Sequence, residues 1–241
     1  MTTILITGAS SGLGAEMARQ FAARGHDLAL CARRTDRLEA LKSSIAAQHP
    51  DVRVEVRALD VNDHDQVFEV FRAFRADFGT LDRVIVNAGL GKGAPLGTGR
   101  FDANRETAVT NFIGALAQTE AALEIFRDQD AGLGRGVRRD GARHPAHGRH
   151  RRDHHEVAGV AHLAEGVRAD VMGTPITVSV IYPGYIRSEM NEKVKNAPFM
   201  VSTEKGVAAI VDAVEKERAS AKVPAWPWVC LLYTSPSPRD S

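Results

Sequence analysis

Cysteine is almost missing from this chain, with two in 241 residues, which excludes a disulfide scaffold. Glycine and proline, 21 and ten residues, follow no repeat, so a collagen-like chain is excluded as well. No apolar run approaches the ~20 residues a bilayer crossing needs. Met1-Thr2-Thr3 leads straight into a short strand-like stretch, without the basic and apolar regions of a secretory leader. The expected compartment is therefore the cytosol, with no membrane partner. Charge of one sign is lacking too: the net charge is +1, which gives no overall reason to expect a nucleic-acid partner. What remains is 44% hydrophobic and 25% charged, the balance of one globular domain long enough to bury a substantial core.

That balance hides a local excess. Residues 127–157 hold eight arginines against five acids, and five of the nine histidines. The remainder of the chain nets −2.

The first ninety residues alternate strand and helix signals. Ile4-Leu5-Ile6, Leu28 to Cys31 and Val84-Ile85-Val86 are short apolar runs of the kind found in strands buried on both faces. Val52, Val54 and Val56 lead into another strand that ends near Leu59-Asp60. Between them, a helical pattern runs from Ser11 to Gly25, and Leu38, Leu41 and Ile45 mark a second helix stopped by His49-Pro50. Val67, Val70, Phe71, Phe74 and Phe78 mark a third. Strands joined by helical crossovers form a parallel sheet with right-handed connections, so the fold class is α/β, a three-layer doubly wound sheet of the Rossmann type. A glycine-rich loop, 90–100, precedes a long helix over about 101–126. Helices near 158–171 and 203–218 flank a strand at Ile176 to Ile181. With no repeat and no linker, one domain over 1–229 is expected.

Thr7-Gly8-Ala9-Ser10-Ser11-Gly12-Leu13-Gly14 lies at the first strand-helix junction. Glycines there permit a tight turn and let a pyrophosphate approach backbone N–H groups at the positive end of a helix. The pattern T-G-x-x-x-G-x-G resembles that of the short-chain dehydrogenase/reductase family. Asn87-Ala88-Gly89 is similar to that family's N-A-G motif, and Asp60-Val61 to its adenine-contacting pair. Asn111 matches its catalytic-site asparagine, and Pro183-Gly184 with Ile186 and Ser188 resembles its nicotinamide-clasping P-G motif. The resemblance covers about residues 1–126 and 158–222. It implies an oxidoreductase that interconverts an alcohol and a ketone or aldehyde by hydride transfer, and a homodimer or homotetramer built through the long helices. It also implies cofactor contacts at Gly8, Ser10, Ser11, Gly12, Leu13 and Gly14. In this family the end of the second strand decides the cofactor. Here it carries Arg33 and Arg34, whose guanidinium groups suit a 2′-phosphate, so NADP(H) is expected in preference to NAD(H).

The family's reaction also needs a serine and a Tyr-x-x-x-Lys pair, in which the lysine lowers the tyrosine pKa. Four residues after Tyr182, Tyr185 and Tyr233 stand Ile186, Glu189 and Ser237, so no tyrosine qualifies. Counting back from Ala158-Gly159-Val160, which looks like the segment following that lysine, the pair belongs near Asp153 and Val157. Asn111 is then the one catalytic-site residue present, as support for a water-linked proton relay or as a bracing amide.

Residues 132–156 lie where the fifth strand, serine and tyrosine belong, yet they contain no apolar run to form a strand. Three readings stand: a frame-shifted stretch, a true insertion in an inactive relative, and an arginine-rich nucleic-acid-binding element. Read one base later, codons for Gly132 to Val137 permit Val-Leu-Val-Val-Val-Ser, and the Glu156 codon becomes one for lysine or arginine. No tyrosine codon appears four positions earlier. The frame shift alone accounts for composition, position and lost motif together. Arginine and glycine without interleaved aromatics offer no stacking platform, so no nucleic acid is expected. His144, His147, His150, His154 and His155 lack a supporting cysteine or rigid element, so no metal is expected. The last twelve residues, Cys230 to Ser241, resemble a translated sequencing-library adapter and are set apart as a non-native tail. The native chain is expected to continue past Val229, with the family's last strand truncated. Glu189-Met190 and Pro198-Phe199-Met200 suggest a partly apolar lid over an unidentified small-molecule substrate.

Overall fold

The computed structural model describes residues 2–133, 138–142, 154–189 and 200–223, the stretches 130–133, 138–142 and 154–158 by backbone alone. Seven strands form one parallel sheet in the order β3-β2-β1-β4-β5-β6-β7. They are β1 (Thr3–Thr7), β2 (Asp27–Ala32), β3 (Val54–Ala58), β4 (Arg83–Ile85), β5 (Arg138–Ala142), β6 (Thr177–Pro183) and β7 (Ser220–Val223). The helices are α1 (Gly12–Ala23), α2 (Thr35–Gln48), α3 (His64–Phe78), α4 (Phe101–Ala108), α5 (Gly114–Leu133), α6 (His154–Asp170) and α7 (Thr203–Glu215).

Period-two alternation sends each strand's side chains to two layers. Ile4, Ile6, Leu28 and Leu30 pack with Met17 and Phe21 of α1 and Val207, Ile210 and Val211 of α7. Leu5, Ala29, Cys31 and Val84 face the other way, against Phe71 and Phe74 of α3, Phe126 of α5 and Val167 of α6. Phe71 and Phe74 are fully buried, each contributing about 2–3 kcal/mol of transfer free energy. Asp63 caps α3 by accepting from Gln66 N, and Gly79 ends it at φ +76°.

The first four strands and three helices stand where the apolar spacing puts them, but three expectations need correction. The last strand is not missing: β7 runs parallel to β6, pairing Val180–Ser220 through Pro183–Val223. Four residues of alternating burial are too short a pattern to separate from the loop around them. Nor is the centre of the sheet without a strand, because the backbone of Arg138–Ala142 pairs with β4 on one side and β6 on the other. Topology overrides propensity there, since two parallel neighbours supply a ladder to whatever sequence spans the gap. The long helix, finally, is not uniform. A π turn at Val109–Ile113 separates α4 from α5, over a stretch whose β-branched and amide side chains are modest helix formers.

Pairing β1 with both β2 and β4 makes their junction the point where strand order reverses. Open α/β sheets bind ligands in the crevice outside the strand ends at that point. Residues 143–153, 190–199 and 224–241 lie outside the described residues. With them lie Asp153, most of the lid segment and the adapter-like tail.

Candidate cofactor site

A single hydroxyl joins the two strands at the switch point. Thr7 Oγ1 donates to Ile85 O (3.4 Å) and accepts from Asn87 N and Ala88 N, both at 3.0 Å. Its one proton and two lone pairs are thus all used. Asn87 Nδ2 donates back to Thr7 O at 2.9 Å, so the glycine loop and the Asn87-Ala88-Gly89 turn are held as one piece. Gly8 adopts φ +66°, and a Cβ there would stand 2.9 Å from Ala88 Cα. Gly14 has even less room, with a Cβ meeting Gly8 O at 2.4 Å and Asn87 Nδ2 at 2.7 Å. These two glycines allow the loop to lie flat on the neighbouring strand end.

Ser11 occupies the cap position of α1, yet its side chain makes no capping bond. Its Oγ instead accepts from Arg34 Nη2 at 2.6 Å. The first-turn N–H groups and the positive end of α1 are left facing a cleft of about 460 Å³. Gly8, Ser10, Ser11, Gly12 and Leu13 line its floor. Arg33 and Arg34, at the end of β2, form one wall, while Asp60, Val61 and the Asn87-Ala88-Gly89 turn form the other. Gly14 lies beneath, as packing.

Asp60 is fixed locally. Its N–H donates to Gln66 Oε1 (2.7 Å) and its Oδ1 accepts from Asn62 N (3.0 Å). Val61 is buried against Gly114, where a Cβ would come within 3.0 Å of Val61 O. Ser188 reaches the cleft from the far side of the sheet, with its Cβ 3.7 Å from where a Gly12 Cβ would stand. Pro183, Gly184 and Ile186 do not line the cleft but carry Ser188 to it. Gly184 N donates to Val223 O (2.6 Å), and Ile186 packs into the space Gly206 leaves, where a Cβ would meet it at 2.6 Å. The strand expected to be missing, β7, is therefore what anchors the P-G segment.

Asn111 sits within the π turn and spends both ends of its amide on one residue. Oδ1 accepts from Leu90 N (2.7 Å) and Nδ2 donates to Leu90 O (2.9 Å). In this structure the side chain braces the loop after β4 and does not itself line the cleft. Of the two positions expected for the catalytic tyrosine and lysine, Asp153 lies outside the described residues and Val157 stands in α6.

Sequence reasoning did not place several residues in this cleft. Thr110 lines the cleft, and its hydroxyl, like Asn87 Oδ1, is buried without a hydrogen-bond partner among the described residues. Lys92 lines it too, pairing with Glu106 at 2.8 Å. Glu189 reaches across to Arg34 and Arg37, which with Ser11 hold its carboxyl down at about 2. No motif flags a pair 155 residues apart. Cys31 also borders the cleft, but it is fully buried there, which pushes its thiol up. Among the described residues no group of three His, Cys, Asp or Glu is placed to hold a metal, and no helix is long and apolar enough to cross a membrane.

A family model described as short chain dehydrogenase matches residues 2–133. An uncharacterised oxidoreductase of Mycobacterium tuberculosis is 48% identical over 238 residues, 95% of this chain and 90% of that protein. Among solved structures, levodione reductase superposes with a TM-score of 0.79 at 23% identity, over 92% of this chain and 95% of that one. A Pseudomonas aeruginosa RhlG/NADP complex gives 0.79 at 18%, over 92% and 94%. The two structures speak for the fold, the family match and the mycobacterial relative for descent. The chain belongs to the short-chain dehydrogenase/reductase family of oxidoreductases.

Proposed function

We propose that the parent of this chain is an NADP(H)-dependent oxidoreductase that interconverts an alcohol and a ketone or aldehyde, and that the polypeptide as written binds nucleotide without turning it over. The convergence of an uncapped helix N-terminus, two packing glycines and Arg34 on one cleft carries the nucleotide half of this reading. The residues present fit a nicotinamide dinucleotide: the glycine cradle and α1 take the pyrophosphate, Arg33 and Arg34 the 2′-phosphate, and Asp60 and Val61 the adenine. The Asn87-Ala88-Gly89 turn borders the adjoining ribose, with Asn87 Oδ1 as a buried acceptor and Thr110 Oγ1 as a buried donor or acceptor for it. Ser188, positioned by Pro183, Gly184 and Ile186, orients the nicotinamide. The bound cofactor supplies hydride, and the protein must supply a proton at the carbonyl oxygen. Nothing in the described chain does so.

Structural neighbours solved with NADP or 5-hydroxy-NADP support the choice of cofactor. Arg34→Ala is expected to weaken NADPH binding by about 10- to 100-fold, the worth of a charge-assisted bidentate contact, and to leave NADH within about threefold. Titrating both cofactors by nucleotide fluorescence checks this, and tighter binding of NADH by the unaltered chain overturns the assignment.

The frame-shift reading of 132–156 gains support from the family match, which ends at residue 133 as that segment begins. Homo-oligomerisation through the long helices is favoured by Val109, Ile113 and Leu116, spaced four and three residues apart and each left more than a third exposed. Ile113→Glu is expected to convert a dimer or tetramer to monomer in light scattering at unchanged secondary structure. An unaltered chain that is already monomeric removes this part of the proposal. The cytosol remains the proposed compartment.

A further inference from the structure

Glu189 follows directly on Ser188 and places its carboxylate on the guanidinium groups of Arg34, just before α2, and Arg37, within it. Oε1 and Oε2 accept from Arg34 Nη1 at 3.2 Å and Nη2 at 3.1 Å, a fork-to-fork pair. Oε1 also accepts from Arg37 Nη1 at 3.0 Å, one helical turn further on. Arg34 is held independently of this carboxylate, because Nε donates to Ser10 Oγ (3.3 Å) and Nη2 to Ser11 Oγ (2.6 Å). The guanidinium plane is thus set by the glycine loop, and its outer edge presents two parallel N–H groups. Two oxygens of a phosphate have the spacing to occupy that edge as the carboxylate does.

We propose that Glu189 is a specificity-determining residue of the cofactor cleft, its carboxylate competing with a nucleotide 2′-phosphate for Arg34 and Arg37. This rests on the reading of Arg34 as the 2′-phosphate ligand. Glu189 and Arg34 are 42% and 41% exposed in their side chains and Arg37 47%, so water screens the pairs and a phosphate can displace the carboxylate. The competition acts only on ligands that carry the second phosphate. An adenylate without it leaves the outer edge of Arg34 to Glu189. The acid thereby lowers affinity for NADP(H) while leaving NAD(H) untouched, which sets the discrimination between them below what the two arginines alone would give.

The test compares two adenosine ligands, the 2′,5′-bisphosphate and 5′-monophosphate, by calorimetry against the full chain and its Glu189→Gln and Arg34→Ala variants. Glu189→Gln is expected to tighten the bisphosphate by about three- to tenfold, the range that two half-exposed ion pairs span, and to change the monophosphate by less than twofold. Arg34→Ala is expected to remove the preference for the bisphosphate. A Glu189→Gln chain that binds the bisphosphate as before, or more weakly, while Arg34→Ala still abolishes the preference, overturns the competition and leaves the phosphate reading of Arg34 standing. If the unaltered chain shows no preference and Arg34→Ala changes nothing, the phosphate reading itself falls and takes the inference with it. Thermal melting of each variant separates lost folding from lost binding, and Arg34 and Glu189, both partly exposed, are not expected to carry stability.

Discussion

Purified as written, the chain is expected to bind NADPH and yet to reduce no ketone or aldehyde above background. Grafting a family segment that carries the serine and the Tyr-x-x-x-Lys pair in place of residues 132–157 is expected to raise turnover by at least ~10²–10⁴-fold, the usual worth of a positioned general acid. The reason is a division of labour along the sheet. On the proposed reading, the nucleotide contacts come from the ends of β1 to β4, the starts of α1 and α2, Thr110, and the Ser188 segment anchored by β7. On the same reading, proton delivery falls to the residues after β5 and at the start of α6, where the sequence reads Arg138-Arg139-Asp140-Gly141-Ala142 and then Asp153 and Val157 at the positions expected for the tyrosine and lysine. Asn111 cannot substitute, since a side-chain amide has no acidic proton to give near neutral pH, and here its Oδ1 and Nδ2 both bond the Leu90 backbone. Nucleotide affinity should therefore survive the graft within about threefold, while steady-state reduction of simple carbonyl compounds appears with it. Turnover by the ungrafted chain at the rate of the grafted one refutes the assignment of the missing groups. Resequencing the coding DNA across 127–157 distinguishes the origin: a slipped frame explains the arginine-rich stretch as an altered active site, whereas an intact frame makes the chain a nucleotide-binding relative that has lost catalysis.

How much of this was legible beforehand depended on whether a residue's role is written in its neighbours along the chain. Ile4-Leu5-Ile6 reads as a doubly buried strand because both faces of a parallel sheet are covered, and the Phe71 and Phe74 pair reads as a helix face because a period of 3.6 brings both to one side. The glycine loop was equally open to reading, since close approach of backbone to backbone leaves room for glycine alone at Gly8 and Gly14. Arg138–Ala142 was not, because its place as β5 comes from the two neighbouring strands and nothing in Arg-Arg-Asp-Gly-Ala favours extension. The π turn holds Asn111, whose side chain bonds the backbone of Leu90, 21 residues earlier, and periodicity carries no sign of such a bond. Glu189 could be placed beside the P-G motif, but its partners Arg34 and Arg37 become visible only when the segment after β6 and the start of α2 are brought together at the C-terminal ends of the parallel strands.

The glycine loop supplies the other large effect. Gly14→Ala is expected to destabilise the fold by about 2–3 kcal/mol, as overpacking of a tight contact does, and to abolish measurable nucleotide binding. A methyl group there meets Gly8 O at 2.4 Å and Gly8 C at 3.0 Å, and both are backbone atoms that cannot rotate away. Relief requires either the loop to lift from Asn87 or α1 to shift along its axis. Lifting the loop stretches the bonds from Asn87 Nδ2 to Thr7 O and Gly8 O, 2.9 and 3.5 Å long, that tie β1 to β4. Shifting α1 withdraws its first-turn N–H groups from the pyrophosphate position and disturbs Met17 and Phe21, both fully buried. Either response damages binding as well as stability, so the two readouts should fall together, the midpoint of thermal unfolding by about 5–10 °C. Gly166→Ala is the matched control. It lies within α6 with no heavy atom within 4 Å of the added Cβ, and alanine is the better helix former by about 1 kcal/mol. That variant should melt no lower than the unaltered chain and bind nucleotide normally. Equal behaviour of the two alanine variants, in melting and in binding, would show that the close contact between Gly14 and the Gly8 carbonyl does not hold the cleft in shape.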